Sequence, residues 1–130
     1  MELYNDIKKS RPSDRRNDCS VVSVSIATGT AYDVTEKMFA SMGRRFNRGS
    51  SIPMITAAVR QLTGNKEITP AYVRKPCQGQ YTMQTIGLKF PKGKHLVFVN
   101  GHVAAMVDGV IHDWTAGRRH RVLYVTTVSA

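Results

Sequence analysis

The chain has 130 residues, 42% hydrophobic and 22% charged, enough for one hydrophobic core and too apolar for a disordered segment. No apolar run approaches the roughly 20 residues of a membrane span, and the polar start MELYNDIKKSRPSDRRND lacks a signal-peptide core, so a cytoplasmic protein without membrane contact is expected. Nineteen Lys and Arg against nine Asp and Glu give a formal charge of +10, which reads either as a solvated surface or as attraction to nucleic acid or an acidic protein.

In chain order, residues 1–18 read as an extended arm, because Pro12 and the dense polar residues argue against a regular element. Cys19–Thr28, CSVVSVSIAT, is ambiguous. Val22, Val24 and Ile26 alternate with Ser as in a strand, but Asp18 suits an N-cap, Val22 and Ile26 are four apart, and Gly29 suits a helix end, which favours helix. Asp33–Met42 reads as a helix with a capping box from Asp33 and Glu36 and a stripe of Val34, Met38, Phe39 and Met42. After the loop RRFNRGSS, Ser51 caps a third helix that runs to Gly64, with Met54, Ile55, Ala58, Val59 and Leu62 on its buried side. A short strand is expected near Ala71–Arg74, and a brief helix capped by Thr82 runs through Leu88 to a stop at Pro91.

Then comes LVFVNGHVAAMVDGVIHDW, residues 96–114. Asn100-Gly101 and Asp108-Gly109 are hairpin signals of the type I′ kind, so three antiparallel strands are expected. A loop over Thr115–His120 and a last strand over Val122–Val128 complete an α+β chain, one domain over 1–130 with N-terminal helices on a C-terminal antiparallel sheet.

A two-residue turn at Asp108-Gly109 sets Val107 opposite Val110, Met106 opposite Ile111 and Ala104 opposite Asp113. His102 and Asp113 then share a face as diagonal neighbours, within about 7 Å between Cβ atoms. A histidine oriented by a carboxylate lacks only a nucleophile. Cys19 supplies one at a helix start, where the dipole and free N–H groups favour a thiolate and can hold an oxyanion. Each residue has a plainer reading: Cys19 a small buried helix-end residue, His102 a wetted turn residue, Asp113 a loop cap. His112 faces away from Asp113, while His95 and His120 read as surface residues. Cys77 lies in a Pro- and Gly-punctuated loop with nothing to activate it. Two cysteines are too few for a disulfide scaffold, no closely spaced ligand pair points to a metal, and no cofactor is expected.

Together, Asn17–Gly29 (NDCSVVSVSIATG) and Phe90–Trp114 (FPKGKHLVFVNGHVAAMVDGVIHDW) resemble the papain-like cysteine peptidase superfamily, and within it small bacteriophage and bacterial proteins. The resemblance implies a papain-like fold with Cys19 as nucleophile, His102 as general base and then acid, and Asp113 as its orienter. It also implies a peptidase- or amidase-like hydrolase or acyl transferase, phage-encoded and acting on a protein or peptide of the host cell. That family carries a Gln a few residues before the Cys as oxyanion donor; no Gln precedes Cys19, and Asn17 is the nearest substitute. Two other classes stay open: a non-enzymatic inhibitor of a host or defence factor on the same fold, and a nucleic-acid-binding protein using the basic knots.

Overall fold

Helix α2 (Cys19–Thr28) is the segment whose sequence pattern was ambiguous, and its surroundings explain why. Every residue from Ser20 to Ala27 is buried, so the helix has no polar face and shows no clean 3.6-residue period. It packs against α1 (Glu2–Ser10), α3 (Tyr32–Ser41), α4 (Ile52–Thr63) and strands β2 (Lys94–Val99) and β3 (His102–Val107). Burial of Val21, Val22, Val24 and Ile26, at about 1.5–3 kcal/mol each, outweighs the weak helix propensity of β-branched residues. The computed structural model describes residues 2–73 and 80–130, with the side chain of Glu2 left aside.

The remaining elements are β1 (Ala71–Tyr72), α5 (Ile86–Lys89), β4 (Val110–His112) and β5 (Tyr124–Ser129). The strands form one five-stranded sheet in the order β1-β5-β2-β3-β4, with every neighbouring pair antiparallel. The fold is α+β. Leu96, Phe98, Val103 and Ala105 face α2, α3 and α4. Val97, Ala104, Met106, Ile111 and Val125 pack on the other face against Met83, Ile86 and Val122. A sheet buried on both faces accounts for the unbroken apolar run of β2.

The first 18 residues are not an extended arm. Glu2–Ser10 forms α1, with Tyr4 and Ile7 on the helical core and Lys8 and Lys9 in the last turn, where cations suit the dipole. One apolar stripe sufficed despite the polar composition, and the helix ends just ahead of Pro12. The Asp33–Glu36 capping box does not form: Ala31 is the N-cap of α3, and Glu36 instead accepts from Arg15, at 2.5 Å to Nε and 3.1 Å to Nη2. Val34 is 49% exposed because Tyr32, Thr35 and Phe39 take the buried side. In α4, by contrast, Ser51 Oγ accepts from the Met54 N–H at 3.3 Å, as its sequence indicates.

The short α5 starts at Ile86 rather than at a Thr82 cap; Thr82 instead bridges to Arg121 and its carbonyl accepts from the Ile86 N–H. Arg74 and Cys77 lie outside the described residues. His95 is not at the surface. It is 3% exposed, stacked at a tilt on Phe90, its Nε2–H donates to the Lys92 carbonyl at 2.8 Å, and its Nδ1 accepts from the Thr127 hydroxyl at 3.0 Å.

The β3–β4 register matches the sequence expectation, with Val107 opposite Val110 and Met106 opposite Ile111. Asp108 (φ 49°) and Gly109 (φ 79°) both adopt positive φ, as a type I′ turn needs, whereas at Asn100-Gly101 only Gly101 (φ 73°) does, which excludes type I′ there. The Asp108-Gly109 turn is wedged against α5. A Cβ on Gly87 would stand 2.2 Å from the Gly109 carbonyl oxygen, a backbone atom that cannot yield alone. Gly87→Ala should therefore destabilise the chain by about 1–3 kcal/mol, read as a lowered thermal midpoint. An unchanged midpoint would show that the turn does not rest on α5.

Candidate active site

The site is assembled where the N-terminus of α2 meets the start of β3. Ser23 Oγ–H donates to the Val103 carbonyl at 2.9 Å, with the Cys19 carbonyl as its alternative acceptor, and so ties the first turn of α2 to β3. Small residues on the strand, Val103 and Ala105, let the helix lie close. His102 shares its strand face with Ala104 and Met106, opposite to the helices. As the first residue of β3 beside a tight turn, however, it sits at the end of the sheet, and it lines the same two cavities as Cys19.

His102 Nε2–H donates to Asp113 Oδ2 at 2.8 Å, the contact the hairpin register had implied. Asp113 follows the last residue of β4 and is only 3% exposed. The same Oδ2 accepts from the Thr115 N–H at 3.1 Å and the Thr115 hydroxyl at 2.7 Å. Thr115 is therefore a positioning residue that pattern reasoning missed. A Thr two residues after an Asp is a local turn signal that could have revealed it. Trp114 lies against His102 with ring centroids 5.2 Å apart.

With Nε2 committed to Asp113, the other ring nitrogen remains for Cys19. Burial pushes the Cys19 thiol up, but hydrogen bonding with His102 and with the Val103 backbone N–H, and the charge of His102, outweigh it, so the net shift is downward. For His102 burial acts downward, while the hydrogen bonds and charges of Asp113 and Cys19 raise it to about 9. Opposite shifts in two groups that line the same cavities favour passage of the Cys19 proton to His102. The His102 contribution to stability is full below about 6.5 and lost as pH rises through about 9; that of Cys19 is present above about 8.5 and lost as pH falls through its depressed value.

Asp18 does not cap α2 with its side chain. Its buried carboxylate accepts from Arg11 Nη1 and from the Tyr32 hydroxyl, the latter at 2.8 Å. Burial raises its pKa, but these donors bring it net below the ordinary value. The first N–H groups of α2, at Cys19 and Ser20, are consequently left without a side-chain cap beside the thiol. Asn17 lines the larger cavity, but its amide N–H donates to the Asn47 carbonyl at 3.0 Å. It stitches two loops together with one N–H, and the uncapped backbone N–H groups of α2 offer further donors for an oxyanion.

Two cavities flank Cys19. The larger, about 290 Å³, is polar and includes Tyr4 and Lys8 of α1 as well as Asp18, Asp113 and Trp114. The smaller, about 180 Å³, is walled by Ile52, Ile55, Phe98, Val99 and Val103. Tyr4 lines the cavity from α1, where burial pushes its phenol up, with Asp113, Asp18 and Cys19 adding to it and Arg11 opposing. His120 is exposed and packs edge-on to Trp114. Among the described residues, no group of three or more His, Cys, Asp or Glu side chains is arranged to hold a metal ion, and no helix is long and apolar enough to cross a membrane.

No family model, no curated protein and no solved structure matches the chain. The local chemistry must stand on its own. In Asp113→Asn the His102 imidazole loses its carboxylate partner, and its titration, followed by NMR of the ring protons, should fall from about 9 towards about 6.5. A midpoint left near 9 would mean that Asp113 does not set the charge state of His102.

Proposed function

We propose that the chain is a cysteine-dependent hydrolase or acyl transferase of the papain-like kind, with Cys19, His102 and Asp113 as its triad. The observation that carries this reading is a thiol at an uncapped helix start, beside an imidazole held by a buried carboxylate at 2.8 Å. The Cys19 thiolate attacks a carbonyl carbon, forming a C–S bond, and the developing oxyanion is received by the first N–H groups of α2. As the C–N or C–O bond breaks, His102 gives its proton to the leaving group. Water or an amine then loses a proton to His102 and adds to the thioester carbon, the C–S bond breaks, and the thiolate–imidazolium pair is restored. Asp113, fixed by Thr115, holds the ring in the orientation both steps need.

The apolar cavity beside Cys19 suits an aliphatic group of the acyl donor. The segments that resemble phage and bacterial proteins extend the proposal to a protein or peptide target in a host cytoplasm.

A generic acyl donor tests the chemistry without knowledge of the natural substrate. With p-nitrophenyl acetate, a burst of nitrophenolate and an acetyl group on the Cys19 peptide, mapped by mass spectrometry, are expected. Cys19→Ala should abolish the adduct, and His102→Ala should slow acylation by about 10²–10⁴-fold, the usual range for a lost general base. An acylation rate that is the same in Cys19→Ala and the wild type would rule the proposal out.

A further inference from the structure

The polar cavity next to Cys19 carries a charge pattern that the triad does not use. Lys8 projects into it from the last turn of α1 and lies over the Tyr4 ring, 5.5 Å from the centroid, without an ion-pair partner among the described residues. A second cation, Arg118, stands over the Trp114 ring at 5.6 Å, and that indole forms part of the cavity wall. Both carboxylates in the cavity are already engaged: Asp18 by Arg11 and Tyr32, Asp113 by His102 and Thr115. An ammonium without an ion-pair partner among the described residues thus shares one cavity with the nucleophile, with a guanidinium over the indole of that cavity's wall, while an apolar wall borders the nucleophile on the other side. Such a pocket favours an anion over a neutral or cationic group of equal size.

We propose that the site selects acyl donors bearing a carboxylate a few bonds from the reacting carbonyl, as an Asp or Glu of an acidic peptide does, and that Lys8 is the residue that sets this preference, with Arg118 in support. The inference rests on Cys19 being the reactive nucleophile. It also gives α1, which contributes nothing to the triad, a role as one wall of the substrate site. Arg11 helps to hold that wall in place, since it follows α1 directly and is paired with Asp18, the neighbour of the nucleophile.

The test compares two alkylating agents of nearly equal size, iodoacetate and iodoacetamide, on the full chain, with Cys19 modification followed by mass spectrometry. The ratio of the two rates divides out any change in thiol reactivity common to both. The imidazolium alone favours iodoacetate, so the informative quantity is how the ratio responds to distant charge. In Lys8→Glu the iodoacetate-to-iodoacetamide ratio should fall about three- to tenfold at low ionic strength, and the fall should shrink as salt is added. Lys66→Glu, an equal change of net charge in the turn after α4 and outside both cavities, should leave the ratio near that of the wild type. Equal ratios in Lys8→Glu and Lys66→Glu would overturn the selectivity proposal while leaving the nucleophile intact. Slow alkylation of wild-type Cys19 by both reagents, no faster than a free thiol, would instead remove the nucleophile on which it rests.

Discussion

The hydrogen bond between His102 Nε2 and Asp113 Oδ2 couples two strands, a turn and a loop into one chemical unit. It exists because the Asp108-Gly109 turn pairs Val107 with Val110, which fixes which side of the sheet each later residue occupies. A slip of one residue would send Asp113 to the opposite face and leave His102 unpaired. The turn is in turn clamped by α5 at Gly87, and the carboxylate by two donors from Thr115. What emerges is an imidazole whose orientation and charge are set before any substrate arrives, the condition that acid–base chemistry at a thiol requires.

The second constraint is the burial of α2. A helix surrounded by the sheet on one side and by α1, α3 and α4 on the others cannot rotate or slide without opening the core. Cys19 is the first residue of that helix, directly before the run Ser20–Ala27 that the core encloses. Because Asp18 is turned towards Arg11 and Tyr32, the helix start stays uncapped where the thiol lies. An Asp that capped α2 in the usual way would gain about 1 kcal/mol of helix stability and place a carboxylate beside the thiolate. Here the cap is forgone, and the N–H groups remain for a ligand.

How much of this could be read from the sequence depended on how local the signal was. Turn chemistry fixed the hairpin and hence the His102–Asp113 pairing, since Asp-Gly admits few conformations. The α2 assignment depended on caps rather than on periodicity, because a helix buried all round has none to show. Apart from Thr115 and the type of the Asn100-Gly101 turn, the misses were tertiary. Nothing local shows that Glu36 would be drawn from its own helix cap to Arg15, that His95 would be buried between Lys92 and Thr127, or that a polar arm holding Tyr4 and Ile7 would dock as α1 over the site. Nor does anything local show that the Asn17 amide would donate to the Asn47 carbonyl, 30 residues away. The candidate site was thus legible in the His102–Asp113 pair and in the place of Cys19 at a helix start, and illegible in its walls.

The central claim is that Cys19 and His102 form a thiolate–imidazolium pair, and thiolate absorbance near 240 nm measures it directly. A titration from roughly pH 4 to pH 10, taken as wild type minus Cys19→Ala so that Cys77 cancels, should show the Cys19 step well below the ordinary thiol value of about 8.5. In His102→Ala that step should move up to the ordinary value or beyond, since burial then acts without its counterweight. A wild-type step at or above about 8.5, unmoved by the loss of His102, would contradict the account.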